Sequence, residues 1–122
     1  MIISKQSKTY KYALDERTLD FAKKIICLNK ALPKNTANIE LIRQLIRAGT
    51  SVGANYREAN DALSKKDFVH RLRITRKEAK ETQYWLELVI EANPEFKSRI
   101  DPLLQESVEL IRIFSSIIEK TK

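Results

Sequence analysis

Glycine and proline are so scarce in this chain that it has few places to turn. Two glycines and three prolines are spread over 122 residues, whereas a meander of short strands needs such residues at every reversal. The prolines and polar clusters mark only three breaks, "ALPKNTAN" around Pro33, "NDALSKKDF", and "EANPEFKSRIDP". Between the breaks lie long segments whose apolar residues recur at helical spacing. The expected fold is all-α, an antiparallel up-down-up-down four-helix bundle in a single domain over 1–122.

Helix 1 is expected from about Asp15 to Ala31. Leu19, Ala22 and Ile26 form one stripe, and Phe21, Ile25, Leu28 and Leu32 a second. Residues 1–13, with Lys5, Lys8 and Lys11, no acid, and Tyr10 and Tyr12, read as a basic arm. Helix 2 is expected from about Ala37 to Asp61, with Thr36 or Asn38 as N-cap. It carries two heptad seams, one through Ile39, Ile42, Ile46, Gly49, Gly53 and Tyr56, the other through Leu41, Leu45, Ala48, Val52, Asn55 and Ala59. Each glycine costs a helix about 1 kcal/mol relative to alanine, so Gly49 and Gly53 predict the close approach of a neighbouring helix.

Helix 3 opens at Ser64, with Asp67 completing a capping-box-like start. Its core stripe is Phe68, Leu72, Thr75, Ala79, Thr82, Leu86 and Val89, flanked by Ile74, Glu78, Glu81, Trp85 and Leu88. Helix 4 begins either with Asp101 as N-cap and Pro102 at N1, or one turn earlier near Ser98. Leu104, Val108, Ile111, Phe114 and Ile118 are its expected core face. One bundle needs one apolar stripe per helix, so the second stripes on helices 1, 2 and 3 predict burial between copies of the chain.

Lysine and arginine exceed aspartate and glutamate by 23 to 16, a net charge of +7. Such a surplus favours polyanions. It concentrates in helix 3, where Lys65 to Lys80 holds seven basic residues against Asp67 and Glu78. With Phe68 at zero, Lys66, Arg73, Lys77 and Lys80 fall at about 120–180°, opposite the core, and Arg76 lies between the faces. A solvated helix back normally mixes signs for i,i+4 pairing, so Lys66, Arg73, Arg76, Lys77 and Lys80, with the Lys5–Lys11 arm, are the candidate phosphate contacts. No base-reading constellation accompanies them, which makes the expected contact independent of sequence.

Enzyme chemistry finds little purchase. A dimetal site in a bundle needs Glu-x-x-His on two helices, but the sole histidine, His70, is preceded three residues earlier by Asp67 and has no counterpart. One Cys and one His cannot make a zinc site, and no Gly-rich phosphate loop occurs. Cys27 reads as a small packing residue and precludes an intrachain disulfide. Glu78 and Glu81 are expected to pair with arginines at a helix or subunit contact, and Trp85 to anchor helices rather than stack on a base. No cofactor, metal or catalytic residue is expected. No apolar run suits a membrane span and "MIISK" is too short for a targeting segment, so a reducing cytoplasm is the expected compartment.

"SVGANYREANDALSKKDFVHRLRITRKEAKETQYWLELV", residues 51–89, closely resembles the four helix bundle proteins, also called 23S rRNA-intervening sequence proteins and in part labelled ribosomal-protein-like. Ser51, Gly53, Asn55, Glu58, Ala59, Phe68, Ala79, Glu81, Thr82, Trp85 and Leu86 carry the likeness. It is similar as well to accessory proteins of diversity-generating retroelements, which assist a reverse transcriptase. The resemblance implies a ring-like homopentamer of all-α subunits with a basic surface and no catalytic activity. Members of this family are encoded within intervening sequences of bacterial 23S rRNA genes, and others stand alone. Gly49, Gly53, Asn55, Glu58, Glu78, Glu81 and Trp85 are accordingly the candidate packing and oligomer-contact residues. RNA is the expected partner, and a protein partner such as a reverse transcriptase the alternative.

Overall fold

Each sharp break in the sequence pattern supplies a side chain that starts or stops a helix, and a computed structural model shows which one is used. It describes residues 5–121, with side chains from residue 13 onward. Four helices follow in order: α1 (Lys5–Ala31), α2 (Thr36–Asn60), α3 (Lys65–Ala92) and α4 (Lys97–Thr121), the last preceded by a 3-10 turn, Pro94–Phe96. No strand occurs among the described residues, and no helix there is long and apolar enough to cross a membrane.

Helix α1 starts about ten residues before the expected Asp15. Nothing in "KQSKTYKYAL" opposes a helix, since the segment lacks both Gly and Pro. The side chains of Lys5, Lys8, Lys11, Tyr10 and Tyr12 lie outside the described residues, as does any role of the basic arm. The N-cap of α2 is neither Thr36 nor Asn38 but Asn35, whose side-chain oxygen accepts from the Asn38 N–H at 2.9 Å. Ser64 caps α3 as expected, accepting from the Asp67 N–H at 3.0 Å. The earlier of the two expected starts holds for α4. The turn opened by Pro94 runs straight into the helix, which leaves Pro102 inside it rather than at N1.

The helices pack into a bundle in which α2 lies against α1 and α3, α3 also against α4, and α1 also against α4. All seven expected core positions of α3 are buried. On α1 the buried stripe is Leu14, Phe21, Ile25 and Leu28, continued by Leu32 just past the helix end, while Leu19 and Ile26 remain 44% and 43% exposed. On α2 the two seams are not separate surfaces. Ile42, Gly49, Gly53 and Tyr56 of one and Leu45, Ala48, Val52 and Ala59 of the other are all buried within a single chain, and Ile39 is left 52% exposed. The expected second stripe of α2 is therefore consumed by α1, not left over.

The core face of α4 is rotated from the expected one. Ile100, Leu103, Ser107 and Leu110 join Phe114 and Ile118 in the interior, whereas Leu104 and Ile111 pack at its edge and Val108 is half-buried. One residue of offset turns a helix by about 100°. Two overlapping apolar stripes run along α4, and only its placement between α1 and α3 selects one.

Gly49 and Gly53 mark the α1–α2 contact. A Cβ on Gly53 would stand 3.0 Å from Thr18 Oγ1 and 3.2 Å from its Cβ, and one on Gly49 would run into the end methyl of Ile25. Their low helix propensity is offset by the backbone approach they permit.

Candidate nucleic-acid interface

Burial of the Phe68–Val89 stripe sets the orientation of α3 and turns its opposite side outward. Lys66, Arg73, Lys77 and Lys80 are exposed, and none has an ion-pair partner among the described residues. Arg76 departs from this set. It is half-buried and donates to Ser115 Oγ of α4 at 3.3 Å, so its guanidinium is partly engaged in holding α3 to α4.

The cations that face neighbouring helices are neutralised instead. Arg71 pairs with Glu58 of α2 and with Asp67, both at 3.2 Å. Arg47 of α2 reaches across to Glu81 and to Glu78 of α3, the latter at 3.6 Å. At that separation the buried Glu78 Oε1 accepts no hydrogen bond. Trp85 Nε1 donates to Glu81 Oε2 at 3.1 Å, and the half-buried indole packs against the core. Arg17 of α1 binds Glu106 of α4 through two hydrogen bonds of 2.8 and 2.7 Å, and these hold its guanidinium pKa above the ordinary value. Glu58, Glu78, Glu81, Glu106 and Glu109 are thus engaged across helix contacts, while the row on the outer side of α3 has no such partner among the described residues.

The candidate packing residues sort in the same way. Gly49 and Gly53 serve α1–α2 within one chain, Glu58, Glu78 and Glu81 serve α2–α3, Trp85 packs against the core, and the Asn55 amide donates to Ser51 O of its own helix at 2.8 Å. Residues that the sequence pattern did not single out stand beside them. Arg47 completes the Glu78–Glu81–Trp85 cluster. Tyr84 lies 55% exposed at the end of the cationic stripe, and its spacing from Lys80 and Lys77, at i+4 and i+7, was a signal available in the sequence.

Cys27 is exposed rather than a packing residue. With Leu28 it lines a cleft of about 390 Å³ between α1 and α4. The charged groups of that cleft include Lys24 with Asp20 at 2.9 Å and Glu106 with Arg17 at 2.7 Å, pairs that are already closed. His70 is exposed. No group of three His, Cys, Asp or Glu side chains among the described residues is placed to hold a metal ion.

The sequence model of one family, described as 23S rRNA-intervening sequence protein, matches residues 11–116. A solved structure superposes with a TM-score of 0.78 at 38% identity, covering 86% of this chain and 97% of its own. It is described as a protein with unknown function from the S23 ribosomal protein family of Bacteroides thetaiotaomicron VPI-5482, at 1.70 Å resolution. No curated protein matches the chain.

Proposed function

Since the chain belongs to the 23S rRNA-intervening sequence protein family, we propose that it is a non-enzymatic, oligomeric RNA-associated protein of the cytoplasm that meets RNA through the outer side of α3. The observation that carries this reading is the row Lys66, Arg73, Lys77 and Lys80, exposed and without acidic partners among the described residues, whereas Arg71 of the same helix is paired with carboxylates. Cations kept free of carboxylates are available to replace the counterions of a phosphate backbone.

The proposal includes an up-down-up-down helix order and a ring-like homopentamer. Leu19 and Ile26 on α1 and Ile39 at the start of α2 are large apolar side chains left in solvent by one chain, and contact with another copy would cover them. Five copies of a +7 chain would pool their fields and capture RNA with few contacts per subunit. The same apolar residues support the second reading, an adaptor that holds a protein such as a reverse transcriptase.

Light scattering gives the subunit number, and RNA titration over a range of salt concentrations tests the interface. Affinity is expected to fall steeply with salt. Charge reversal at Arg73, Lys77 and Lys80 together should reduce the slope of log K against log salt by about 2. A flat salt response, or unchanged binding after reversal, refutes the RNA reading. A polypeptide co-purifying in fixed stoichiometry, with no nucleic-acid absorbance, supports the adaptor.

A further inference from the structure

We propose that Tyr84 makes the cationic side of α3 a site for unpaired RNA, its ring stacking on a base while Lys77, Lys80 and Arg73 hold the adjoining phosphates. This rests on the reading of α3 as an RNA interface and adds to it which form of RNA is bound.

Three observations converge. The first is placement. At 100° per residue, Lys77, Lys80 and Tyr84 lie within about 60° of one another on the helix, and Arg73 falls on the same side. Tyr84 is 55% exposed, so an aromatic face stands in solvent in line with free cations. From Arg73 to Tyr84 the row runs about 16 Å along the helix axis.

The second is support. The Tyr84 ring meets Trp85 edge-on, with centroids 5.1 Å apart and planes at 72°. Trp85 is tied to Glu81 by its indole N–H at 3.1 Å, and Glu81 to Arg47 of α2. A platform braced through a neighbouring helix loses little freedom when a base lands on it.

The third is polarity. Beyond Tyr84 the sign on this side of α3 reverses, with Glu87 and Glu91 both exposed. Those carboxylates repel phosphates, so a strand stacked on Tyr84 runs from there towards Arg73 and Lys66.

An unpaired nucleic-acid strand offers both a phosphate row and open base faces, and on the reading of α3 as an RNA interface that strand is RNA. A duplex hides its base faces within the helical stack, whereas single strands stack on aromatic side chains in a sequence-tolerant way. An acidic protein segment would satisfy the cations and leave the ring without a matching surface.

The test compares an oligouridine of about 12 nucleotides with an RNA duplex of the same length, by fluorescence anisotropy on the full chain. Trp85 is the only tryptophan, so its emission supplies a second readout beside the Tyr84 ring. Tyr84→Ala is expected to weaken oligouridine binding about tenfold, to leave the salt slope unchanged, and to leave duplex binding as it was. Tyr84→Phe, which keeps the ring, should bind like the parent, and circular dichroism verifies that each variant is folded. Equal oligouridine affinity for Tyr84→Ala and parent, with Lys77→Glu/Lys80→Glu still impaired, overturns the stacking site and spares the phosphate reading. Equal weakening of duplex and single strand overturns it as well. Failure of the parent to bind either RNA at low salt overturns both readings together.

Discussion

Asn38 and Asn93, 55 positions apart, form a closed amide pair in the interior, and replacing Asn93 by alanine should be among the more damaging single changes in this chain. The two side chains are 3% and 2% exposed. Asn38 Nδ2 donates to Asn93 Oδ1 at 2.9 Å and Asn93 Nδ2 to Asn38 Oδ1 at 2.8 Å. Each amide has one further use, Asn38 Nδ2 donating to Pro33 O and Asn93 Nδ2 to Val89 O, both at 2.9 Å. The pair therefore joins the start of α2, the α1–α2 turn and the end of α3.

Asn93→Ala deletes two interhelical hydrogen bonds and strands Asn38 Oδ1 without a donor in a site that water does not reach. At about 1 kcal/mol net per bond plus about 1 kcal/mol or more for the stranded acceptor, the loss is about 3 kcal/mol. For a chain of this length about 4 °C of Tm accompanies each kcal/mol, so the midpoint should drop by about 12 °C. The assay is thermal melting by far-ultraviolet circular dichroism at one fixed protein concentration, since self-association would itself move the midpoint. Asn38→Ala should cost about as much. The double alanine variant should fall short of the sum by at least about 2 kcal/mol, because the two bonds are lost only once and neither amide is left stranded. Leucine at both positions, which removes the need for partners while keeping the volume, should recover part of the loss. A drop of less than about 3 °C for Asn93→Ala, or strict additivity in the double variant, would show that the amides contribute little.

The remaining predictions concern the glycine contact and high pH. Gly53→Ala gains about 1 kcal/mol of helix propensity but presses on Thr18, which is fully buried and held by its 2.7 Å bond to Leu14 O. Overpacking of about 1–3 kcal/mol should leave a net loss of about 1 kcal/mol in urea denaturation. Gly49→Ala meets the flexible end of Ile25 and should lose less; the reverse order would refute the packing account. Burial pushes the Tyr56 hydroxyl up to about 12, above its unfolded value near 10. The folded state thus holds this proton more tightly. Its contribution is complete below pH 10 and is lost as pH rises towards 12, about 3 kcal/mol in all. Tyr56→Phe should melt at a midpoint that falls less steeply than the parent's between pH 10 and 11, and parallel curves would rule this out.

Much of the architecture was readable because it depends on local rules. The N-cap Ser64 and the seven-position stripe of α3 follow from backbone geometry and a 3.6-residue period, and both are present, although the Asp67 carboxylate pairs with Arg71 instead of closing a capping box. The outward cations of α3 follow from the same arithmetic. Choices between equivalent local options were not readable. Asn35, Thr36 and Asn38 can all cap a helix, and the one that does so is the one whose neighbour Asn38 is claimed by Asn93 across the bundle. Arg76 has the charge of its neighbours, and only the proximity of Ser115 on α4 removes it from the free row.

The sequence by itself determined the number of helices, their breaks and the side of α3 that carries unpaired positive charge, because turns, caps and helical periodicity act over a few residues. Tertiary structure decided which of two apolar stripes on α1 and α4 is interior, that both seams of α2 are absorbed within one chain, and which arginines are neutralised. Those outcomes depend on the partner that each helix face meets, and a one-dimensional pattern does not contain its partner. The exposed ring of Tyr84 belongs to both: its position is written in the spacing from Lys77 and Lys80, and its bracing against Trp85, Glu81 and Arg47 exists only once α2 and α3 are packed.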